Sequence, residues 1–555
     1  MANVSPGVYT KIIDLSEYVQ NVPSTIAFLP IICERGQDNE LIFTNSRDFY
    51  IDFGEPNITY VGKDFGQGPY IADSFFKESD SMYIVRCLPV DADFSVLRMY
   101  AEGLGDTTCL IYVDSSVGMN THNELLTKIN DAESLLIFYG VGRGEWYDNF
   151  QIKLSQHLNT YKEGVYVLDI YQRQSEDNPE NGEPQYEIIS SFEVSFDPKK
   201  LDSAGESMFI ADVVNKYSRF IKCYANDENC TAAVALTGTD FGAPFESDPV
   251  NLQNGSCGSL FSGGLVDPTK AIQILSKAYK GDLEKTTTSG GSILKDVLDT
   301  DFYYFSIILD GGYPTDVKTQ GLYSMVLARK DCVGIIDNGD NSTVADALAA
   351  RGTDHNYNTR YLALYECYSK IYDTWIGKDI WISPVYHMAN IIPYTDNVSE
   401  LWYAPAGFNR ATIASIKELR YSPVLGERDQ LYLAQINPIV KFNVGYTVWG
   451  QLTTQKRPTA LQDLSIMRLV LYIKRALEQF CKYYIFEQND EPTWSAISSE
   501  ITRFLKQVQN RRGLYSFSVD VGADEYEIKA KQVHCNVILQ PVRTVEQILL
   551  NFYIM

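Results

Sequence analysis

The feature that most constrains this chain is a strand with no partner of its own. Near the start, Ser5-Pro6-Gly7-Val8-Tyr9 runs into Thr10-Lys11-Ile12-Ile13-Asp14-Leu15-Ser16. Val8, Tyr9, Thr10, Ile12 and Ile13 are strand formers, Pro6 removes a backbone donor and fixes φ, and Gly7 permits a sharp bend. Such an arm is completed only by another sheet, which turns the question from chemistry towards assembly. The other end mirrors it. Beyond Pro541 the tail 542–555, with Val545, Ile548, Leu550 and Phe552, is again extended and rich in apolar residues.

A chain of 555 residues with 45% apolar and 21% charged residues is long enough for several globular domains. It contains no run of eighteen apolar residues, and residues 1–30 lack the pattern of a secretory signal, so a cytoplasmic protein with no membrane insertion is expected. Ten cysteines lie scattered without a Cys-x-x-Cys and read as reduced core thiols. His534 and Cys535 are neighbours on a strand and point to opposite faces, so they do not share a metal. No metal or cofactor is expected.

The net charge of −24 argues against nucleic-acid binding, which needs a basic surface. The charge is uneven. Residues 401–555 hold 18 Lys+Arg against 14 Asp+Glu, a balance of +4, and the remainder carries −28. The 38 tyrosines suit extensive subunit contacts and large cores equally.

The periodicity predicts an α+β and α/β multidomain chain with discontinuous domains. It comprises an N-terminal extended arm (1–20), an α/β segment (21–92), a short insertion (93–138), a β-rich inserted domain (139–240) and a Gly/Ser-rich insertion or loop region (241–295). A βαβ-type middle domain (296–400), a C-terminal α+β core domain (401–541) and an extended C-terminal arm (542–555) follow. In the middle domain, strands are expected at 303–309, 332–336, 361–365 and 380–382. The C-terminal domain is the most regular. Ile466, Leu469, Val470, Ile473, Leu477, Phe480, Cys481 and Tyr484 recur at helical steps after a capping box expected at Thr459 and Gln462. A second helix carries Trp494, Ile497, Ile501, Phe504, Leu505 and Val508 and ends at Gly513. Strands follow near 514–519 and 533–539.

Little here carries catalytic chemistry. Gly140-Val141-Gly142-Arg143-Gly144 precedes strands rather than a helix and reads as a turn. Gly255-Ser256-Cys257-Gly258 lacks the strand-turn-helix of a nucleophile elbow. The acidic pairs Asp91/Asp93 and Asp299/Asp301 are expected by chance among 71 acids. Asp310-Gly311-Gly312 lies where a parallel strand would end, the usual ligand position of such sheets, but without a phosphate-binding motif beside it.

The order of motifs resembles the tail sheath proteins of contractile bacteriophage tails. Thr395-Asp396-Asn397 precedes Leu401-Trp402-Tyr403-Ala404-Pro405-Ala406-Gly407-Phe408-Asn409-Arg410, similar to the Trp-x-Ala-Pro-Ala-Gly-x-Asn-Arg signature of that family. Ile436-Asn437-Pro438, Gly445, Trp449-Gly450, Arg468-Leu469, Phe486-Glu487-Gln488-Asn489 with Trp494, and Gln540-Pro541-Val542-Arg543 follow in the family order. Ser5-Pro6-Gly7-Val8-Tyr9 and Phe53-Gly54 look like its opening. One departure is Met467-Arg468, where the family often has two arginines.

The resemblance implies a structural protein without catalytic residues or cofactors. Its copies would stack in rings around an inner tail tube, joined by a baseplate and a terminator. Contraction would then drive the tube through a bacterial envelope. The virion tail, assembled in the host cytoplasm, would be its location. The arms 4–15 and 543–553 are expected to add strands to the sheet near 514–539 of neighbouring copies, and Arg503, Lys506, Arg511 and Arg512 are candidates for facing the tube. A bacteriocin-like or secretion-type sheath would share this architecture; a soluble α/β enzyme is the competing class.

Overall fold

The computed structural model describes residues 25–102, 110–114, 118–156, 164–177, 182–235, 249–262, 264–285 and 293–546. Val8, Tyr9, Thr10, Ile12, Ile13, Ile548, Leu550 and Phe552 lie outside the described residues. Two compact units emerge, one running from Thr25 to Leu469 and resumed at Pro541, the other spanning Val470–Gln540.

The larger unit is built on a nine-stranded sheet. Six strands are parallel, in the spatial order Met82–Arg86, Ala27–Ile31, Ile307–Leu309, Val333–Asp337, Leu362–Glu366 and Asn437–Phe442. Antiparallel strands border them: Ile42–Thr44 on one side, Gly445–Val448 and Thr412–Ile413 on the other. Ala27–Ile31, Val333–Asp337 and Leu362–Glu366 are buried along their whole length, as expected of parallel strands covered on both faces. One core joins Phe28, Tyr279, Phe305, Ile308, Val326 and Ile336, with Phe28 and Phe305 stacked at 5.1 Å. Each buried aliphatic side chain there contributes about 1.5–3 kcal/mol.

Three expectations need correction. The strand at 380–382 is not in the main sheet: Lys378–Ile382 pairs antiparallel with Ser369–Asp373, which also pairs with Ile416–Leu419. Only four residues separate the first two, enough for a hairpin but not for a parallel crossover. The stretch 241–295, expected as a Gly/Ser-rich insertion or loop region, contains the helix Pro268–Lys280. Asp267 caps it by accepting from the N–H groups of Thr269 and Lys270, and Gly281 ends it at φ 74°. Breaker-rich flanks obscured this amphipathic run. Finally, Thr459 and Gln462 form no capping box for the long helix; they bracket a separate turn, and the helix itself spans Leu464–Lys482.

Residues 93–258 leave the main sheet as a β-rich lobe. Ile221–Ala225, Ser134–Gly140, Val96–Glu102 and Leu110–Asp114 form one antiparallel sheet, and Val250–Asn251, Phe150–Gln156, Tyr166–Asp177 and Pro184–Val194 form another. The expected insertion 93–138 and the β-rich domain thus share strands. Arg86 ties the lobe to the body: wholly buried, it donates to the carbonyls of Cys33, Glu34, Gly36 and Arg143. Arg143 pairs with buried Asp38 at 2.7 Å. A Cβ on Gly142 would come within 2.0 Å of the Gly36 carbonyl, so this glycine-rich stretch is a packing turn.

In the smaller unit, Glu491–Asn510 buries Ile497, Ile501, Phe504, Leu505 and Val508. Phe504 packs on Tyr472 and Phe480 of the preceding helix. Leu514–Gly522 and His534–Pro541 form a two-stranded sheet. Among the described residues no helix is long and apolar enough to cross a membrane, and no group of His, Cys, Asp and Glu is arranged to hold a metal.

Candidate assembly surface

Within the smaller unit, the side chain of Asp490 caps the helix Glu491–Asn510 by accepting from the Thr493 N–H. Trp494 Nε1 donates to Asn489 Oδ1 at 2.7 Å, and Asn489 Nδ2 donates to the Gln532 carbonyl at 3.1 Å. Asn489 and Trp494 therefore hold the turn between the helices to the segment entering the last strand. Gln509 Nε2 donates to the Tyr515 carbonyl, and Ser516 Oγ to Gln540 Oε1 across the two strands, both at 2.7 Å.

A sheet of two strands has two open edges, and alone it is marginal in water. Leu514 is buried, whereas Tyr515 and Ile538 are exposed. Apolar residues on a two-stranded sheet with open edges are what an added strand would cover.

Of the tube-facing candidates, Arg503 pairs with Glu500 at 2.6 Å and Lys506 Nζ donates to Gln509 Oε1 at 3.1 Å. Arg511 is the helix C-cap and Arg512 follows it at φ 65°, with the Gly513 N–H donating to the Val508 carbonyl. All four are exposed. Cations at a helix C-terminus also complement its dipole.

The signature residues form a structural lock. Asp396 and Arg468 meet in a bidentate ion pair whose side chains are 1% and 4% exposed, and Arg468 Nη1 also donates to the Leu401 carbonyl at 3.2 Å. Trp402, Ala404 and Pro405 are buried, Ala406 and Gly407 half-buried, and Asn409 exposed. Gly407 sits at φ 83°, where its N–H donates to the Val448 carbonyl. Arg410 Nε donates to the Ala404 carbonyl and its guanidinium lies over Tyr403. Asn437 binds the carbonyls of Leu364 and Leu452 and accepts from the Leu452 N–H. A Cβ on Gly450 would strike its amide at 2.6 Å, which explains the glycine. Thr25, Tyr432 and Gln451 belong to the same surroundings and had no sequence signal: Thr25 Oγ1 donates to Asp396, Gln451 Nε2 to Thr544 Oγ1 and Tyr432 Oη to Glu546. Val545, between the last two contacts, is exposed.

The place where a doubly wound sheet holds a ligand is filled by this chain's own side chains. The parallel strands run second, first, third, fourth, fifth, sixth in chain order, so the order reverses between Ala27–Ile31 and Ile307–Leu309. Tyr313, 1% exposed, lies at that point and donates to the Pro30 carbonyl at 2.6 Å. Beside it, Lys318 Nζ stands 3.3 Å from Asp310 and 2.5 Å from Asp337, all three buried. Burial raises Asp310 to about 7 despite Lys318. For Asp337 burial is outweighed by Lys318, with Ser383 and the Gly339 N–H, and the carboxyl is held below its usual range. Asp91 and Asp299 accept hydrogen bonds within their own turns or from Ser259. Cys257 is buried.

Glu366, at the end of the next parallel strand, pairs with no cation among the described residues. Burial pushes it to about 7, although Asn338 and Asn341 donate to Oε2. Its folded pKa lies above the unfolded one, so native protein binds more protons than unfolded protein between about pH 4.5 and 7, and stability falls as pH rises through that window. The loss is about 3 kcal/mol. Urea midpoints at pH 5 and 8 should show it, and Glu366→Gln should reduce the difference by raising stability at pH 8, leaving the part of the same sign that Asp310 contributes.

The family model described as phage tail sheath C-terminal domain matches residues 456–555. Over this part the chain is similar to that family. The tail sheath protein of Vibrio phage KVP40 is 31% identical over 221 residues, 39% of this chain and 32% of that protein. That of Enterobacteria phage T4 is 28% identical over 235 residues, 40% of this chain and 35% of that protein. The chain thus matches about a third of the length of these curated relatives. In fold, it is similar to the crystal structure of a sheath tail protein from Listeria innocua, with a TM-score of 0.53, 10% identity, and coverage of 93% of this chain and 95% of that one. Over these spans the chain is similar to bacteriophage tail sheath proteins.

Proposed function

We propose that this chain is a subunit of a contractile tail sheath, polymerising as stacked rings around an inner tube and contracting to drive that tube through a bacterial envelope for genome delivery. The observation that carries the reading is a sheet that has only two strands among the described residues, in a chain whose ends are both apolar, strand-forming segments. Residues 4–15 and 543–553 extend that sheet in neighbouring copies. Each main-chain hydrogen bond adds only about 0.5–1.5 kcal/mol, so several per arm hold subunits together while their bodies rotate. The partners are other copies, the tube protein, the baseplate and the terminator; the site of action is the virion tail, after assembly in the host cytoplasm.

Sedimentation of the purified chain tests this directly. Polymers far larger than the 62.7 kDa chain, seen as rigid tubes in negative stain, are expected. A monodisperse monomer that binds a small ligand contradicts the proposal.

For the tube contact, Arg503, Lys506, Arg511 and Arg512 are the candidates, all exposed at or near the C-terminal end of the helix Glu491–Asn510. Arg511→Glu with Arg512→Glu should impair assembly on tubes and leave the melting of the subunit unchanged. Normal tube-dependent assembly by this variant would remove the assignment.

A further inference from the structure

Both ends of the described chain are fastened to the opening turn of one helix. At the N-terminal side, Thr25 is held twice: its carbonyl accepts from Ser79 Oγ at 3.1 Å, and its hydroxyl donates to Asp396. Asp396 is in turn gripped by Arg468, the fifth residue of the helix Leu464–Lys482. At the C-terminal side, Thr544 Oγ1 accepts from Gln451 Nε2 and Glu546 Oε2 from Tyr432 Oη, each at 2.7 Å. The Gln451 carbonyl accepts the N–H of Leu464, the first residue of that helix, at 2.8 Å. Two positions more than five hundred residues apart thus reach one end of this helix through a single intervening residue each, Asp396 by its side chain and Gln451 by its side chain and carbonyl.

We propose that Thr25–Asp396 and Thr544–Gln451 are the anchors of the two assembly arms, fixing where each leaves the body and passing any pull on it into the buried Asp396–Arg468 turn. The inference rests on the sheath reading. The Thr25 contact is charge-assisted through Asp396, the Thr544 contact a neutral, part-buried bond to Gln451, and rooting both arms at one turn keeps their separation constant when the body rotates. The threonines are positioning residues: through their bonds to Asp396 and Gln451 they set where the segments that pair with neighbours leave the body, Thr544 at the base of its arm.

The test uses the full chain with Thr25→Val and Thr544→Val combined, which keeps side-chain size and leaves the ion pair intact. Thr25→Ser with Thr544→Ser, which retains both hydroxyls, is the control. Assembled tubes are triggered to contract with urea and their lengths measured in the electron microscope, beside the melting midpoint of unassembled subunits. The valine variant should stay folded and melt only slightly below the wild type, having lost one hydrogen bond at each anchor, yet yield contracted tubes severalfold shorter, or none, whereas the serine variant keeps wild-type length. Valine tubes that contract at full length, serine tubes that break equally, or tube loss that merely follows a lowered melting midpoint would each overturn the anchor assignment. Failure of the wild-type chain to form tubes overturns the sheath reading itself, and with it the anchors.

Discussion

Replacing Lys318 by methionine is expected to destabilise the larger unit by about 3–5 kcal/mol. Lys318 is the cation between two buried carboxylates, Asp310 and Asp337, at the ends of adjacent parallel strands. Methionine matches its length and leaves both acids without a counter-charge. Removing one partner of a buried ion pair costs about 3–5 kcal/mol, because the charge left behind stays desolvated. Asp310→Asn should cost clearly less, since burial already raises Asp310 to about 7 and its charge is only partly present at neutral pH. Urea unfolding followed by tryptophan fluorescence at pH 7 separates the two. A Lys318→Met midpoint equal to that of wild type would show that the cluster does not hold these strand ends.

Removing residues 1–15 should abolish full-length contractile sheaths while leaving the subunit folded. The deleted segment lies ahead of the body's first strand, Ala27–Ile31, which pairs with Met82–Arg86 and Ile307–Leu309, so the core of the larger unit keeps its contacts. What is lost is an arm of twelve residues, long enough to reach about 40 Å when extended. About five main-chain hydrogen bonds along it, at 0.5–1.5 kcal/mol each, amount to several kcal/mol per subunit, and the loss recurs at every copy in a helical array. Far-UV circular dichroism should match wild type while negative stain shows dispersed particles or short stacks. Full-length sheaths that still contract would contradict the arm hypothesis.

What could be read from the sequence was what is local. The helical recurrence from Ile466 to Tyr484 lies within or just beyond Leu464–Lys482, and the run from Trp494 to Val508 falls within Glu491–Asn510, because burying one face of a helix writes its period into the residues. The strands at 332–336 and 361–365 were legible as short apolar runs, within a residue of Val333–Asp337 and Leu362–Glu366. The order of the signature residues was also legible. That Asp396 and Arg468, 72 residues apart, are partners was not, because an ion pair between distant segments leaves no periodicity. Lys318 was hidden for the same reason: inside an apolar helical run a lysine reads as a solvated residue, and only the folded sheet brings Asp310 and Asp337 to it. The anchor residues Thr25 and Thr544 had no signal, since one hydroxyl at a chain end resembles any other.

The most direct test of the account is a cryo-electron microscopy map of the assembled full-length chain at side-chain resolution. The account predicts that the sheet of Leu514–Gly522 and His534–Pro541 gains strands at its edges, and that those strands trace to residues 4–15 and 543–553 of other copies. A map of assembled particles in which this sheet remains two-stranded, or in which the added strands come from the same copy, would contradict it.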